Sequence, residues 1–281
     1  MKGNACRPVF HISVLAIMLF QVCALFARSA LDISLVKRGM DRAIANDISY
    51  LVVPPMLAAF MYPYLRRHWD ALQSLFRLQA MTLRLFVLAL VLGLLLRVTY
   101  WAVLTVLIWA GVIGNDESGV VAGPLLGFQC PPLPVLTLSV LTMSFLVPVV
   151  EEIVNRGFLL HALLPRGFVT SIILSALLFA VAHKPGTYAV AFSIGVLLAV
   201  QALNARTLWA PLVTHSTYNF AAIIDWECFR LIWNPPLADP LLLAATKVAA
   251  PTAVACVFLC CWLVSKRAIG DTMPRLPGTA T

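Results

Sequence analysis

Long apolar runs recur along this chain, and most charged residues stand in the short stretches between them. An apolar run of about 17–25 residues is long enough to cross a hydrocarbon core of about 30 Å as an α-helix. The pattern predicts about eight such spans, at residues 9–27, 47–65, 83–114, 133–150, 168–183, 187–203, 208–224 and 241–264. The predicted fold class is therefore all-α, a polytopic membrane helical bundle of about eight transmembrane helices.

The first two predicted spans have features of their own. Lys2 and Arg7 precede the first apolar run, as they would in a signal peptide. That run is longer than the roughly 7–15 residues of a signal sequence, and no small-x-small cleavage site follows it, so we interpret it as a span. In the second span, Pro54 and Pro55 predict a bend.

Composition supports the same class. Apolar residues make up 61% of the 281 residues and charged residues 11%, whereas soluble domains carry about 25% charged residues. These values exclude an ordinary soluble domain, and also disordered, collagen-like and disulfide-scaffold proteins. The net charge of +8 is dispersed along the chain and forms no basic stripe. We therefore expect the lipid bilayer as a partner and no nucleic acid.

Lys and Arg near the span ends indicate orientation, because they favour the cytoplasmic side. Residues 66–84 and the C-terminal tail are basic, whereas residues 115–132 contain no Lys or Arg. The sequence thus predicts an integral, multi-pass membrane protein with cytoplasmic N- and C-termini. Residues 28–46 disagree, since the scheme places them outside although they are basic. Their cations are Arg28, Lys37, Arg38 and Arg42.

The seven cysteines form no CxxC pair and no Cys/His array at zinc spacing. Cys130 and Cys228 both fall on the predicted outer side, where an oxidising compartment permits a disulfide. We favour two unpaired cysteines here and keep their pairing as the alternative.

Charged groups at membrane depth are costly, so each one is a candidate functional residue. Glu151 and Glu152 follow an apolar run, and Arg156 comes four residues after Glu152. On a helix this spacing lets Glu152 and Arg156 pair on one face, while Glu151 points about 100° away and stays free. The alternative is that both carboxylates only end a helix at the membrane interface.

Two histidines and an asparagine lie in later apolar segments. His183 ends one segment, and His215 and Asn219 lie one helical turn apart in another. Taken singly, His183 is more often a satisfied interfacial residue, and a His/Asn pair can serve as hydrogen-bond glue between helices. Taken with Glu151, they can converge on one buried polar pocket.

This combination of residue types suits hydrolysis of a peptide bond without a covalent intermediate. A carboxylate and an imidazole can take a proton from water, and a second imidazole and a carboxamide can donate hydrogen bonds to the resulting oxyanion. No HExxH, GxGD or GxSxG motif indicates another protease or hydrolase class.

Three short motifs carry a family resemblance. Glu151-Glu152-Ile-Val-Asn-Arg156 resembles EExxxR, Phe179-Ala-Val-Ala-His183 resembles FxxxH, and His215-Ser-Thr-Tyr-Asn219 resembles HxxxN. In this order, inside membrane helices, they resemble the CPBP (CAAX protease and bacteriocin-processing, Abi) family of intramembrane proteases, which includes the type II CAAX prenyl endopeptidases.

The resemblance divides the chain into three parts. Residues 1–132 contain about three spans and a loop, residues 133–224 form the CPBP-like protease core, and residues 225–281 contain a loop, the last span and a basic tail. No internal repeat is evident in the sequence.

The resemblance implies an α-helical membrane endopeptidase that cuts near the C-terminus of a membrane-associated or lipidated protein. It also implies a role for each motif residue. These roles are water activation by Glu151 and His183, oxyanion stabilisation by His215 and Asn219, and support of the site by Glu152 and Arg156.

The family has also been described as metal-dependent, and Glu151, His183 and His215 make a plausible zinc set with an open fourth position. We favour a site without a cofactor, because His215 and Asn219 already supply electrophilic assistance. Asn155 departs from the family pattern, since many relatives carry an aromatic or apolar residue there. A polar side chain at this position is expected to line the pocket and leaves the substrate assignment open.

Two other function classes fit the same polar cluster. A proton-coupled transporter uses buried carboxylates and histidines as a relay, but no repeated half with broken helices is evident in the sequence. A non-catalytic membrane protein of immunity or sorting is the other class, and the intact set of Glu, His, His and Asn argues against it.

Overall fold

The computed structural model describes residues 13–110, 130–183, 187–224, 228 and 240–268. Within these ranges the regular structure is helical. The helices are α1 (Val14–Lys37), α2 (Arg42–Tyr50), α3 (Val53–Arg67), α4 (Trp69–Leu75), α5 (Leu83–Trp109), α6 (Leu133–Arg166), α7 (Phe168–Val181), α8 (Tyr188–Ala205), α9 (Trp209–Ile223) and α10 (Pro240–Ala268).

Five helical stretches are long and apolar enough to cross a membrane. They are Val14–Lys37, Ile44–Arg67, Leu83–Val103, Leu133–Arg166 and Tyr188–Ala205. Phe168–Val181 and Lys247–Trp262 are shorter apolar helices. The all-α, polytopic membrane class is thereby confirmed, whereas the number of eight spans and the orientation of the termini stay predictions.

The second predicted span is divided as the prolines indicated. α2 ends at Tyr50 and α3 begins at Val53, with a turn between them. Pro54 lies in the first turn of α3, where its missing N–H has no helical acceptor to lose.

The first predicted span ends too early. α1 continues to Lys37, ten residues beyond the predicted end at Ala27, and the predicted residues before 13 lie outside the described ranges. Arg28 therefore belongs to a helix and not to the basic loop that the sequence predicted. The prediction ended the span at the last uninterrupted apolar residue, so it assigned the cation that follows to a loop.

α6 also runs further than predicted. It passes through Glu151 and Glu152 without a break and ends at Arg166, so these carboxylates do not terminate a helix. Two of its segments, Val140–Leu146 and Ile153–Leu159, are wound as π-helix with five-residue hydrogen bonds. Such wide turns occur mostly as short insertions in α-helices, often at functional sites.

The packing of α1 against α6 sets one side of the bundle. Ile17 and Phe20, near the start of α1, share an apolar core with Phe158 in the second half of α6. The other end of α1 leads into α2, where the buried Asp47 accepts a hydrogen bond from Ser139 near the start of α6. α1 and α6 therefore run in opposite directions.

α5 and α9 approach each other closely on the other side of the bundle. The Thr214 hydroxyl of α9 donates to the Ala89 carbonyl of α5 at 3.1 Å and accepts from Gln201 of α8 at 2.9 Å. A Cβ atom on Gly93 would stand 2.6 Å from the Thr214 carbonyl oxygen. Only glycine at this position permits the observed contact.

A disulfide joins Cys130 to Cys228. The favoured expectation of two unpaired cysteines is therefore wrong. The reason is that α9 packs antiparallel to the first part of α6, which brings the residue before α6 to the chain just beyond α9. Their position on the outer side of the membrane stays a prediction.

Candidate active site

A buried ion pair forms the base of the site. Glu152 Oε1 lies 3.1 Å from Arg156 Nη1, and both side chains are fully buried. The pair has the spacing of one helical turn within α6, as the sequence predicted. The Arg156 guanidinium also stands over the Phe179 ring, 4.3 Å from its centroid, so a cation–π contact shares the cost of burying the charge.

His215 of α9 is oriented by the same carboxylate. Its Nδ1–H donates to Glu152 Oε1 at 2.9 Å, which leaves Nε2 pointing toward Glu151 Oε2 at 3.6 Å. A neutral imidazole protonated on Nδ1 has only a lone pair on Nε2. At 3.6 Å the two atoms lie within ion-pair range but beyond hydrogen-bond distance, and the contact is attractive when the His215 ring carries a second proton on Nε2.

Glu151 combines burial with access to open space. Its side chain is 27% exposed and lines a cavity in the bundle. Its Oε2 atom accepts no hydrogen bond from the described residues. Glu152 on the adjacent position is committed to Arg156 and His215, so Glu151 is the carboxylate left for chemistry.

Phe179 of α7 connects His183 to this group. The His183 Nδ1–H donates to the Phe179 carbonyl at 2.8 Å, which leaves Nε2 as the proton acceptor in the neutral ring. The His183 and Phe179 rings are 4.6 Å apart, and the His215 ring meets the edge of Phe179 at 6.0 Å. The sequence named Phe179 only as a motif position, although its spacing of one turn before His183 is the signal for this contact.

Asn219 is held by a backbone group of α6. Its Nδ2 donates to the Met143 carbonyl at 2.8 Å. In this π-wound segment the Val147 N–H donates to the Thr142 carbonyl, five residues back. The matching donor for Met143 would be residue 148, which is a proline without an N–H. Asn219 therefore satisfies a carbonyl that Pro148 leaves free, and one N–H of the carboxamide remains.

The cavity beside Glu151 has a volume of about 90 Å³, enough for several water molecules at about 10–15 Å³ each on this measure. Residues of α1, α2, α3, α6 and α7 line it. Its polar lining residues are Gln21, Arg28, Tyr50, Glu151 and Asn155. The sequence did not single out Gln21, Arg28 or Tyr50 as site residues, because they precede the three motifs by more than a hundred positions along the chain.

Asn155 lines the cavity, as expected from its polar character. Its Nδ2 donates to the Glu151 carbonyl at 2.9 Å, and its Oδ1 accepts from Gln21 Nε2 of α1 at 2.9 Å. This pair of amides ties α1 to α6 one turn from Glu151. The polar residue at position 155 thus has a partner that the chain supplies from a distant helix.

The donors of the alternative zinc set do not form a metal-binding group. Among the residues described, no three His, Cys, Asp or Glu side chains converge closely enough to hold a metal ion. Of the three, Glu151 and His215 face each other, while His183 joins them through the Phe179 ring. The geometry gives the metalloprotease assignment no support, and we derive no step through a metal.

The structure thus brings Glu151, Glu152, Arg156 and His215 into direct contact. Asn219 follows His215 by one turn on α9, and His183 packs on the shared Phe179 ring. These residues are placed by three helices, α6, α7 and α9, of which α6 and α9 carry the charged centre. Their individual roles stay predictions.

Comparison with known proteins finds a family match for this region. Residues 133–221 match the family model described as type II CAAX prenyl endopeptidase Rce1-like. The match confirms the resemblance to the CPBP family, and at the level of the family it supports a CAAX-type intramembrane protease. No curated protein matches the chain. The matched range contains every candidate site residue, whereas the cavity wall from α1 to α3 lies outside it.

Proposed function

We propose that the protein is an intramembrane endopeptidase that hydrolyses a peptide bond near the C-terminus of a membrane-associated or lipidated protein. The observation that carries this proposal is the position of His215 between the two adjacent glutamates, one of which, Glu151, lines a cavity within the bundle. The family match supports this substrate class, since its description names a CAAX prenyl endopeptidase.

Water activation is assigned to Glu151 and His183. Glu151 is a carboxylate with one oxygen that accepts no hydrogen bond from the described residues, beside a cavity large enough for water. His183 presents Nε2 as an acceptor because its Nδ1–H is committed to Phe179. Removal of a proton from water by these groups leaves a nucleophile that attacks the scissile carbonyl carbon and forms a C–O bond.

The oxyanion that forms in this step needs hydrogen-bond donors. His215, when protonated on both nitrogens, donates from Nε2 while Glu152 holds Nδ1. Asn219 has a second N–H beyond the one that Met143 accepts. Such preorganised donors are worth about 10²–10³ in rate at other oxyanion sites.

The second half of the reaction returns the proton. The amide C–N bond breaks as Glu151 transfers the proton it took from water to the leaving amine, which restores the carboxylate. Glu152 and Arg156 act through His215, since Glu152 accepts its Nδ1–H and Arg156 pairs with the same carboxylate. No covalent intermediate is required.

A reconstitution experiment tests the proposal. The purified protein in liposomes is given a farnesylated peptide that ends in Cys, two aliphatic residues and Met, and the released fragment is measured by mass spectrometry. Glu151→Gln and His215→Ala are expected to lower kcat by at least about 100-fold. Asp70→Asn, an exposed carboxylate, and Ser216→Ala, next to His215, are the matched controls and are expected to retain activity. Cleavage that survives both site variants would overturn the site assignment.

The same assay separates the metal-free site from the zinc alternative. After exhaustive chelation, when elemental analysis finds far less than one zinc atom per protein molecule, we expect full activity. The reason is that His215 and Asn219 supply the electrophilic assistance. Loss of activity on chelation, restored by zinc alone, would contradict the metal-free mechanism.

A proton-coupled transporter remains the second candidate, favoured by the close approach of the titratable Glu151 and His215 side chains within the bundle. It predicts proton flux across liposomes that Glu151→Gln abolishes, with no peptide cleavage. Cleavage without such flux decides for the protease.

A further inference from the structure

The wall of the cavity contributed by α1 carries a cation. The Arg28 guanidinium stacks over the ring of Tyr50 in α2, 4.1 Å from its centroid. Both residues line the same cavity as Glu151. Most other lining residues are apolar, such as Phe20, Val53 and Val150. The Arg28 guanidinium is therefore a charged group available to a ligand in an otherwise mainly apolar cavity.

Arg28 has no carboxylate partner in the described part of the chain. Asp32, one turn further along α1, forms no ion pair with it, and the buried Arg28 Nε lacks a hydrogen-bond acceptor. A cation within the apolar stretch Val14–Lys37 is costly unless it is compensated. The ring of Tyr50 compensates only part of that cost. The remaining donors suit a planar anion, and a carboxylate accepts two parallel hydrogen bonds from a guanidinium.

The distance between Arg28 and Glu151 limits the ligand. Gln21 and Asn155 mark the same level of the antiparallel helices α1 and α6. At about 1.5 Å per residue, Arg28 lies about 10 Å from that level along α1, and Glu151 lies about 6 Å from it in the same direction along α6. The two groups are thus offset by about 4–5 Å along the bundle, and the width of the cavity adds to this. An extended peptide advances about 3.3–3.6 Å per residue, so only a few residues fit between them.

We propose that Arg28, stacked on Tyr50, binds the free C-terminal carboxylate of the substrate. The enzyme then selects chains that end a few residues beyond the bond at Glu151. This inference rests on the proposed proteolytic function and adds a specificity residue from α1, outside the part of the chain that matches the family. A different role for Arg28, electrostatic support of the Glu151 charge, predicts an effect that does not depend on the substrate terminus.

Two substrates that differ in one group test the inference. The farnesylated peptide is made with a free C-terminal acid and with a C-terminal amide, and KM and kcat are measured for both. We expect wild type to disfavour the amide by about tenfold or more, mainly in KM, because a charged hydrogen-bonded contact is lost. Arg28→Gln is expected to raise KM for the acid peptide and leave KM for the amide peptide unchanged, so that the preference for the acid falls to about twofold or less. Arg38→Gln, an exposed cation at the end of α1, is the matched control and keeps the preference.

Each other outcome has a defined meaning. Equal cleavage of acid and amide by wild type overturns the inference and leaves the proposed function standing. An equal slowing of both peptides by Arg28→Gln also overturns it, in favour of a role in the fold or in the charge of Glu151. Arg28→Lys guards against misfolding, since it keeps the cation and is expected to retain part of the preference.

The inference is also testable without cleavage. If wild type cleaves neither peptide, the proposed function fails on this substrate class, and binding of fluorescent acid and amide peptides to the detergent-solubilised protein is measured by anisotropy. Tighter binding of the acid by about tenfold, lost in Arg28→Gln, supports the carboxylate site. Equal binding, or none, overturns it.

Discussion

Glu152 holds two positively polarised groups with a single oxygen atom. Its Oε1 lies 3.1 Å from Arg156 Nη1 and accepts from His215 Nδ1 at 2.9 Å. All three side chains are buried, so their interactions with each other replace the hydration that each would have in water. The orientation of His215 toward Glu151 is therefore a consequence of the ion pair beneath it.

A substitution of Glu152 separates stability from positioning. Glu152→Gln leaves Arg156 buried without its counter-charge, and we expect a loss of about 3–5 kcal/mol in the free energy of unfolding. We expect kcat to fall by about 10–100-fold, as when a group that orients a functional histidine is removed. Thermal unfolding and the liposome assay measure the two effects.

The control for this prediction removes both charges. Glu152→Gln with Arg156→Met is expected to regain most of the lost stability, because no uncompensated charge remains. Activity is expected to stay low in the double variant, since His215 still lacks its carboxylate. Recovery of activity together with stability would show that Glu152 matters only for folding.

The residue-scale site was predictable only where its contacts are local. The Glu152–Arg156 pair follows from a spacing of four on a helix. The contact of Glu152 with His215 spans 63 positions and that of Asn155 with Gln21 spans 134, so neither leaves a trace in local spacing. Arg28 escaped the prediction because its helix runs ten residues past the predicted end.

At the scale of the helix, α6 departs from regular winding on both sides of its glutamates. The π segments Val140–Leu146 and Ile153–Leu159 flank the turn that contains Glu151 and Glu152. Apolar periodicity predicted that this helix exists but ended the span at residue 150, whereas the spacing of Glu152 and Arg156 indicated a helix there; neither signal predicted that the winding widens. Winding depends on which backbone groups find partners on other helices, such as Met143 with Asn219.

Pro148 offers a test of the two roles of Asn219. Asn219→Ala removes the donor to the Met143 carbonyl, and leaving a buried acceptor unpaired costs about 1–3 kcal/mol. It also removes the proposed oxyanion donor, so we expect kcat to fall by about 10²–10³. Thermal unfolding and cleavage rates are measured for this variant in the reconstituted protein.

The companion variant restores a backbone donor. Pro148→Ala returns an N–H at position 148, which can serve the Met143 carbonyl in the absence of Asn219. The double variant Pro148→Ala/Asn219→Ala is expected to recover stability but not kcat. If both recover, Asn219 serves only the backbone of α6, and its assignment to the oxyanion is wrong.

The close contact between α5 and α9 determines where α9 places His215 in the bundle. A Cβ on Gly93 would meet the Thr214 carbonyl at 2.6 Å and Thr217 Cβ at 2.7 Å, and a carbonyl of the main chain cannot swing aside. Gly93→Ala is therefore expected to push α9 from α5, to destabilise the protein by about 1–3 kcal/mol and to lower kcat. Val91→Ala, on the exposed face of α5, is the control. Normal activity in Gly93→Ala would show that the position of His215 does not depend on this packing.

At the scale of the whole molecule, the proposed catalytic groups and the proposed selectivity residue come from different parts of the chain. The matched region, residues 133–221, supplies every group assigned to catalysis. Helices α1 to α3 supply the opposite wall of the cavity, including Arg28 and Tyr50. The low charge content indicated a membrane protein from composition alone. That α1 lines the cavity beside Glu151 could be seen only from the antiparallel packing of α1 on α6.

The disulfide between Cys130 and Cys228 ties the two helices that carry the charged centre. It closes a loop across a sequence separation of 98 residues, for which the chain-entropy account gives about 4.7 kcal/mol as an upper limit, because the membrane keeps the spans inserted after unfolding. Cys130→Ser/Cys228→Ser is expected to lower Tm by several degrees and to lose activity at a lower temperature, as α9 separates from α6. Reductant is expected to lower the Tm of wild type and of the control Cys23→Ser/Cys256→Ser. It is expected to leave the Tm of Cys130→Ser/Cys228→Ser unchanged. Free thiols at both positions in mass spectra of the membrane-purified protein would contradict the prediction.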